Sequence, residues 1–380
     1  MKTRVNLGYK DIDPSKPVEW DIFDESDRLL LKQGMQLHSK KQLKKLVEIG
    51  AYRYEFEEDK PIDASKQRVH DVLSPFVRIE RVEHELEFLL KETFLLSKND
   101  NVNLTNRYLD LVDELIDLCE YDIDAVLGAI HTDEQNRYTV VHPLHSAVLV
   151  YIIGKRINIP TDRLICIMAA TLTSNVGMYE LQEVLHGQTD RLSDEQKIEV
   201  EKHPLRSVRL LKRAGITNKL WLEIVAQHHE QQDGRGYPRR IRGPQFIKEA
   251  RIVAMADRYH AMISPRSYRK GLTPTMALKH LFQTRGKVID EKIGAIFIKE
   301  LGIYPPGTYV RLKNGETALV TRRGSNSMRP KVKSLLSSQG LKMRKPLVRN
   351  CADRRFAVLG LCPPLSSYKK DLSLLWDYTV

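Results

Sequence analysis
Cysteine, aromatic residues and long apolar runs are all scarce in this chain of 380 residues. The four cysteines, at 119, 166, 351 and 362, are scattered and form no Cys-x-x-Cys pair. That excludes a zinc ribbon and a disulfide framework, and it points to a reducing bacterial cytoplasm. No apolar run approaches the roughly 18 residues needed to cross a bilayer. The best, Ala147 to Ile153, is short, so no membrane insertion is expected. The first fifteen residues hold no stretch suited to a signal peptide.

Acid is also scarce in one place. The net charge is +12, which favours anionic partners such as nucleotides, nucleic acid or a membrane surface. From Arg311 to Arg349 the chain carries Lys313, Arg322, Arg323, Arg329, Lys331, Lys333, Lys342, Arg344 and Lys345, with Glu316 the only acid. Few aromatics interleave these cations, which weighs against base stacking. A solvated basic face on a small β domain competes with a nucleic-acid patch.

Four segments are expected. Residues 1–60 read as a small α/β module: a strand, turn and strand around Asp21 to Gly34, then an amphipathic segment from Ser39 to Ile49. The acidic, proline-bearing Glu57 to Pro61 reads as a linker. Residues 61–120 form a helical linker whose apolar stripe (Val69, Val72, Leu73, Phe76, Ile79, Val82, Leu86, Leu89) is a core face or a homodimer face. Residues 121–303 are helical throughout, broken at Asn158-Ile159-Pro160, Ser193-Asp194 and Thr273-Pro274. Residues 304–380 turn to β, with a hairpin turn at Asn314-Gly315.

The most informative segment is His228-His229-Glu230-Gln231-Gln232-Asp233-Gly234-Arg235-Gly236-Tyr237-Pro238. Two histidines end a helix-patterned run, Leu220 to Ala226, and a glycine-rich loop follows. Neutral imidazoles are common metal ligands, and glycines let backbone approach a phosphate. Alone, such a segment is more often a surface cap than a metal site.

The segment resembles the HD-GYP signature HHExxDGxGYP of the HD-superfamily metal phosphohydrolases, with every specified letter present. The stretch Tyr304 to Val320 is similar to the YPxGTxVxLxNGExAxV that often trails such domains, so the resemblance covers most of the chain. It implies a mainly α fold, an all-helical HD-GYP core flanked by the small α/β module and the β extension. It also implies a cyclic-di-GMP phosphodiesterase ancestry and a pocket holding Fe or Mn. Carried over position by position, the metal ligands are His145 (with His142 one turn earlier), His203 of a His-Pro pair, His228, His229, and Asp257 of the RIxAxADxxxA helix.

The family's name-giving pair is absent. Where it carries LLHDIGK, this chain reads Leu172-Thr173-Ser174-Asn175-Val176-Gly177-Met178. Ser174 is a poor ligand, Asn175 cannot bridge two cations as a carboxylate does, and Met178 cannot donate to phosphate. One metal ion, two, or none is therefore expected, with phosphodiesterase activity impaired or lost. Nucleotide affinity for cyclic-di-GMP or pGpG rests on Arg266 and Arg269, which match basic positions of the family's TSxRPYR segment. Guanidinium forks suit phosphate, though a solvated helix cap is an equal reading for Arg269. The loop Asp233, Gly234, Arg235, Gly236, Tyr237 and Pro238 is, by the resemblance, a contact for diguanylate cyclase (GGDEF) domains. An active enzyme with His142 or His186 recruited in place of Ser174 is the alternative, and a nucleic-acid-binding regulator the third.

Overall fold
A computed structural model describes residues 2–7, 12, 16–18, 20–24, 28–37, 40–56, 74–96, 100, 102–132, 137–267, 269–286, 288–324, 328–365 and 372–378. Contacts divide the chain into residues 1–72 and 73–380.

In the first unit, β1 (Lys2–Asn6), β2 (Ile22–Phe23), β3 (Leu29–Leu31) and β4 (Tyr52–Phe56) form one sheet in the order β1-β4-β2-β3. Helix α1 (Lys40–Glu48) buries Leu43 and Leu46 among Leu7, Ile22 and Leu31, while Lys44 and Lys45 stay exposed. Leucines three apart on one face and lysines between them give that result. The two expected strands and the helix are present, while residues 25–27 between the strands lie outside the described residues. The expected linker at 57–61 lies outside the described residues, as does Ser39.

The second unit is mainly helical. Helix α2 (Pro75–Leu95) starts at Ser74, whose Oγ accepts the Val77 N–H, with Pro75 in the first turn, where its missing donor costs nothing. Residues 65–73 of the expected helix are not among those described. The stripe Ile79, Val82, Leu86 and Leu89 is buried with Tyr108, Leu111, Leu115 and Leu118 of α3 (Thr105–Thr132). The apolar face read as core or dimer surface is thus covered from within this chain. Helix α3 is kinked at Asp122, where φ is −156°. The Asp122 carboxylate there accepts the Ala125 N–H and pairs with Arg322.

Helix α4 (Tyr138–Arg156) is buried all round as far as Gly154. Around it pack α5 (Thr161–Thr173), α6 (Tyr179–Gly187), α7 (Asp194–Arg213), α8 (Lys219–Gln227), α9 (Lys248–Ile263), α10 (Pro274–Thr284) and α11 (Glu291–Leu301). The sequence expectation of no bilayer-length apolar segment needs correction. Within Thr161–Gly187 an 18-residue window reaches a mean hydropathy of 1.3, although 78% of that window is buried inside the fold. Its Ala, Leu, Ile and Met side chains serve a protein core.

The chain then forms an antiparallel sheet from β5 (Tyr309–Leu312), β6 (Thr317–Arg322), β7 (Lys331–Leu336), β8 (Lys342–Asn350) and β9 (Val358–Leu361), in the order β8-β7-β6-β5-β9. A short helix, α12 (Leu372–Leu375), follows. Gly315 closes the β5–β6 hairpin at φ +85°, a conformation that excludes most side chains.

The lone acid of the basic stretch has a structural role. Glu316 receives two hydrogen bonds from Arg349, at 3.0 and 2.8 Å, and one from Ser334 Oγ at 2.6 Å. Arg322, Arg323 and Lys333 are likewise paired, with Asp122, Asp124 and Asp377. Four cations of the supposed patch are therefore committed within the fold. The Arg349 hydrogen bonds push the Glu316 carboxyl down to about 2 from its usual 4.5. A lowered folded value means the pair's stabilisation is present above pH 4.5 and drains away as pH falls toward 2. Glu316→Gln is expected to cost about 1–2 kcal/mol at pH 7 and to flatten thermal melting curves against pH across that window. A variant as acid-sensitive as the parent there would refute this.

Candidate metal centre
Three histidines converge where α7 and α8 meet. Ligand-capable atoms of His203, His228 and His229 lie within 4.8 Å of one another. His203 sits inside α7 just before Pro204. Proline has no N–H, so the carbonyl four residues back, on Val200, receives no helix bond from it. The His203 Nδ1–H takes that carbonyl at 2.5 Å. His228 caps the C-terminus of α8, where carbonyls are left over, and its Nδ1–H donates to Val225 O at 2.7 Å.

Those two bonds fix both rings. With Nδ1 protonated and neutral rings, both Nε2 atoms are bare, and they face each other at 3.2 Å. Two lone pairs at that distance repel unless a cation or a proton lies between them. Burial, with His228 adding to it, pushes His203 down to about 3, and burial holds His228 and His229 below their usual value, so protonation is disfavoured. The His229 Nε2 is also buried with no partner. Imidazoles locked by Nδ1–H to carbonyl bonds are the usual form of metal-binding histidine. The donor set fits a transition-metal ion.

Asp257, on α9, completes the group, with Oδ2 3.8 Å from His229 Nδ1. Burial alone would raise its carboxyl, but the facing His142 and His229 and the His142 hydrogen bond outweigh it and hold Asp257 well below the carboxylate range. His142 Nε2–H donates to Asp257 Oδ1 at 2.7 Å.

His145 stands apart. The carry-over placed it among the ligands, yet it is His142 that meets Asp257. On α4 the two histidines are three residues apart, and so are Asp257 and His260 on α9. The helices therefore pair His142 with Asp257 and His145 with His260, the latter at 2.9 Å. His142 Nδ1 also meets His260 Nδ1 at 3.0 Å. Since a carboxylate cannot donate, the direction runs through neutral rings: His145 Nδ1–H to His260, His260 Nδ1–H to His142, His142 Nε2–H to Asp257. His260 was not singled out from the sequence, although its spacing from Asp257 was the available signal.

The expected replacements fall beside this group. Asn175 and Met178 line a cavity of about 220 Å³ shared with His142, His229, Asp257 and Arg266. Asn175 Oδ1 is buried with no partner. Ser174 instead donates its hydroxyl to Thr171 O at 3.0 Å, back onto its own helix. A Cβ at Gly177 would lie 2.5 Å from His203 O and Ser207 N, so glycine there lets α7 approach. His186 stacks on Tyr138, with centroids 5.2 Å apart, at the edge of the same cavity.

Arg266 and Arg269 border a second opening of about 320 Å³ that reaches His228, His229 and Asp257. Arg266 donates to Tyr138 OH at 3.0 Å, and Arg269 to Ala261 O at 2.8 Å. Tyr268 between them is outside the described residues.

The glycine-rich loop is folded around Glu230. That buried carboxylate accepts the N–H groups of Arg239, Arg240 and Ile241 at 2.7, 3.1 and 3.2 Å. Gly236 packs so tightly that a Cβ would meet Glu230 Cα at 2.4 Å. Tyr237 N–H donates to His229 O, and the Tyr237–Pro238 bond is cis. Arg235, Arg239, Arg240 and Arg242 are left exposed, with Arg239 reaching Glu223.

Residues 130–293 match the family model described as HD domain. The chain is 27% identical over 231 residues to a cyclic di-GMP phosphodiesterase of Pseudomonas aeruginosa, covering 60% of this chain and 56% of that protein. It is 24% identical to the 3'3'-cGAMP-specific phosphodiesterase 3 of Vibrio cholerae, over 57% and 46% of the two chains. To the cyclic di-GMP phosphodiesterase response regulator RpfG of Xanthomonas campestris it is 32% identical, over 33% of each. These matches span about half of the first relatives' lengths or less. The buried histidine group lies within the span that matches the HD domain. The HD-domain match and these relatives support membership of the HD-GYP family.

Proposed function
We propose that this chain binds a cyclic dinucleotide of the cyclic-di-GMP class, or its linear product pGpG, beside a metal centre, and that its hydrolysis is lost or strongly reduced. One observation carries the reading. The three-histidine group and Asp257 are assembled, while the neighbouring position that the family fills with a bridging aspartate holds Asn175, its amide oxygen buried and unpartnered. A bound metal ion would supply charge neutralisation and an activated water. His203, His228, His229 and Asp257 would hold one ion, of Fe or Mn type. Asn175 offers no negative charge for a second. Arg266 and Arg269, which border the opening to His228, His229 and Asp257, are the proposed phosphate contacts, and the Met178 side chain offers no donor.

The relatives support the substrate class, since several are named for cyclic di-GMP and others for 3'3'-cGAMP. Signalling in the bacterial cytoplasm follows from that chemistry. The exposed arginines of the loop from Asp233 to Pro238 suit an acidic surface, and a GGDEF-type domain is the proposed protein partner.

A second reading has its own support. His142 Nε2 lies beside Asp257 Oδ1 at 2.7 Å, and with its proton displaced by a metal ion it would serve as a recruited ligand and keep an active two-metal enzyme. Metal content and cyclic-di-GMP hydrolysis, measured on one purified sample with Mn(II) or Fe(II), separate the two. The expected result is one equivalent or less, with turnover on the order of 10³ below an intact enzyme. Two or more equivalents, with turnover that His228→Ala abolishes, would overturn the proposal.

A further inference from the structure
A cavity of about 590 Å³ is lined by His145 and His260 and by residues of β5 and β9, and it shares Tyr138 and His186 with the cavity at Asn175. That volume is within the range of small-molecule sites. Ile130, Val141, Leu272 and Leu361 supply apolar walls, and Lys270 stands exposed among its lining residues. No carboxylate is among the described residues that line it.

Three buried polar atoms belong to residues of that lining and have no partner: His145 Nε2, His186 Nδ1 and Thr308 Oγ1. His145 is only 1% exposed and Thr308 6%. Leaving such atoms unsatisfied is costly, so a group that meets them from the cavity is stabilised. The hydrogen-bond direction along the histidine chain says which group. His145 Nδ1–H is spent on His260, so Nε2 presents a lone pair and accepts. The rings of His131, His260 and Tyr309 add aromatic surface, which suits a flat body.

We propose that this cavity is a second ligand site, distinct from the metal centre, for a flat molecule of two or three fused rings. It carries a hydroxyl or N–H donor for His145 Nε2, with any anionic substituent toward Lys270.

A matched pair tests this on the full chain, with metal loaded and with metal chelated. 2-Naphthol carries the donor; 2-methoxynaphthalene keeps the rings and lacks it. By titration calorimetry the naphthol is expected to bind about tenfold more tightly, the ratio that 1.4 kcal/mol gives. Adding a carboxylate, as in 6-hydroxy-2-naphthoate, should tighten binding further, and Lys270→Ala should remove that gain. Cys362 supplies an independent readout. It is a free, half-buried thiol in the lining, whereas Cys119, Cys166 and Cys351 are buried. Mass spectrometry should show 2-naphthol slowing iodoacetamide labelling at Cys362. Leu361→Trp, which fills the cavity from β9, should abolish binding and leave metal content unchanged. Equal affinity for the two naphthalene compounds, or Cys362 labelling unaffected at saturating naphthol in the parent protein, would overturn the proposal. Neither readout requires nucleotide or turnover, so the site stands or falls apart from the phosphodiesterase reading.

Discussion

Replacing Ser174 with His and Asn175 with Asp together is expected to raise cyclic-di-GMP hydrolysis by about a thousandfold and bound Mn or Fe by about one equivalent. The change restores two donor types next to a group that already has four. Asn175 lines the cavity that His142, His229 and Asp257 share, so its carboxylate counterpart would face them directly. The His at 174 must leave the Thr171 carbonyl that the serine now uses. The single Asn175→Asp change should therefore recover most of the metal, and the double change most of the rate. Roughly 4 kcal/mol of barrier corresponds to a thousandfold, within the several kcal/mol that a metal centre supplies. The comparison needs metal analysis and steady-state rates on parent, single and double variants. A parent already as fast as the double variant would remove the basis for calling the site impaired.

The second large effect concerns the loop. Glu230→Ala should destabilise the second unit by about 3 kcal/mol and open the stretch from Asp233 to Ile241 to trypsin. The carboxylate is 2% exposed and is the acceptor for three consecutive backbone N–H groups. Its removal strands them, and each stranded buried donor costs about 1–3 kcal/mol before water or relaxation recovers part of it. Cleavage at the exposed Arg235, Arg239 and Arg240 should quicken at least tenfold. Glu230→Gln, which keeps the shape and one acceptor, should fall between. Thermal melting and timed proteolysis would show it, and an alanine variant that resists trypsin like the parent would sink the role given to Glu230.

Much of the centre was legible in the sequence, for local reasons. His228 and His229 end an amphipathic helix, and His203 precedes a proline, so their positions follow from spacing and backbone chemistry. Asp257 follows from its helix. What spacing could not decide was which of His142 and His145 meets Asp257. Both lie on one face of α4, and only the pairing of α4 with α9 assigns them. Glu230 was read as a letter of the motif, because its partners Arg239 to Ile241 are supplied by the return of the loop. The β extension was legible as strands. The internal pairing of its cations was not, since Asp122, Asp124 and Asp377 are far away in sequence.

Pro204 contributes no ligand atom and no charge. By helix-propensity rules it is a defect, costing a bond in the middle of α7. Yet the bond it forgoes leaves the Val200 oxygen for the neighbouring ring, and that decides which nitrogen of His203 stays bare. A substitution restoring regular helix at 204 would thus make the backbone better and the ring ambivalent. In this fold a deliberate fault in the scaffold sets the protonation pattern of the chemistry it supports.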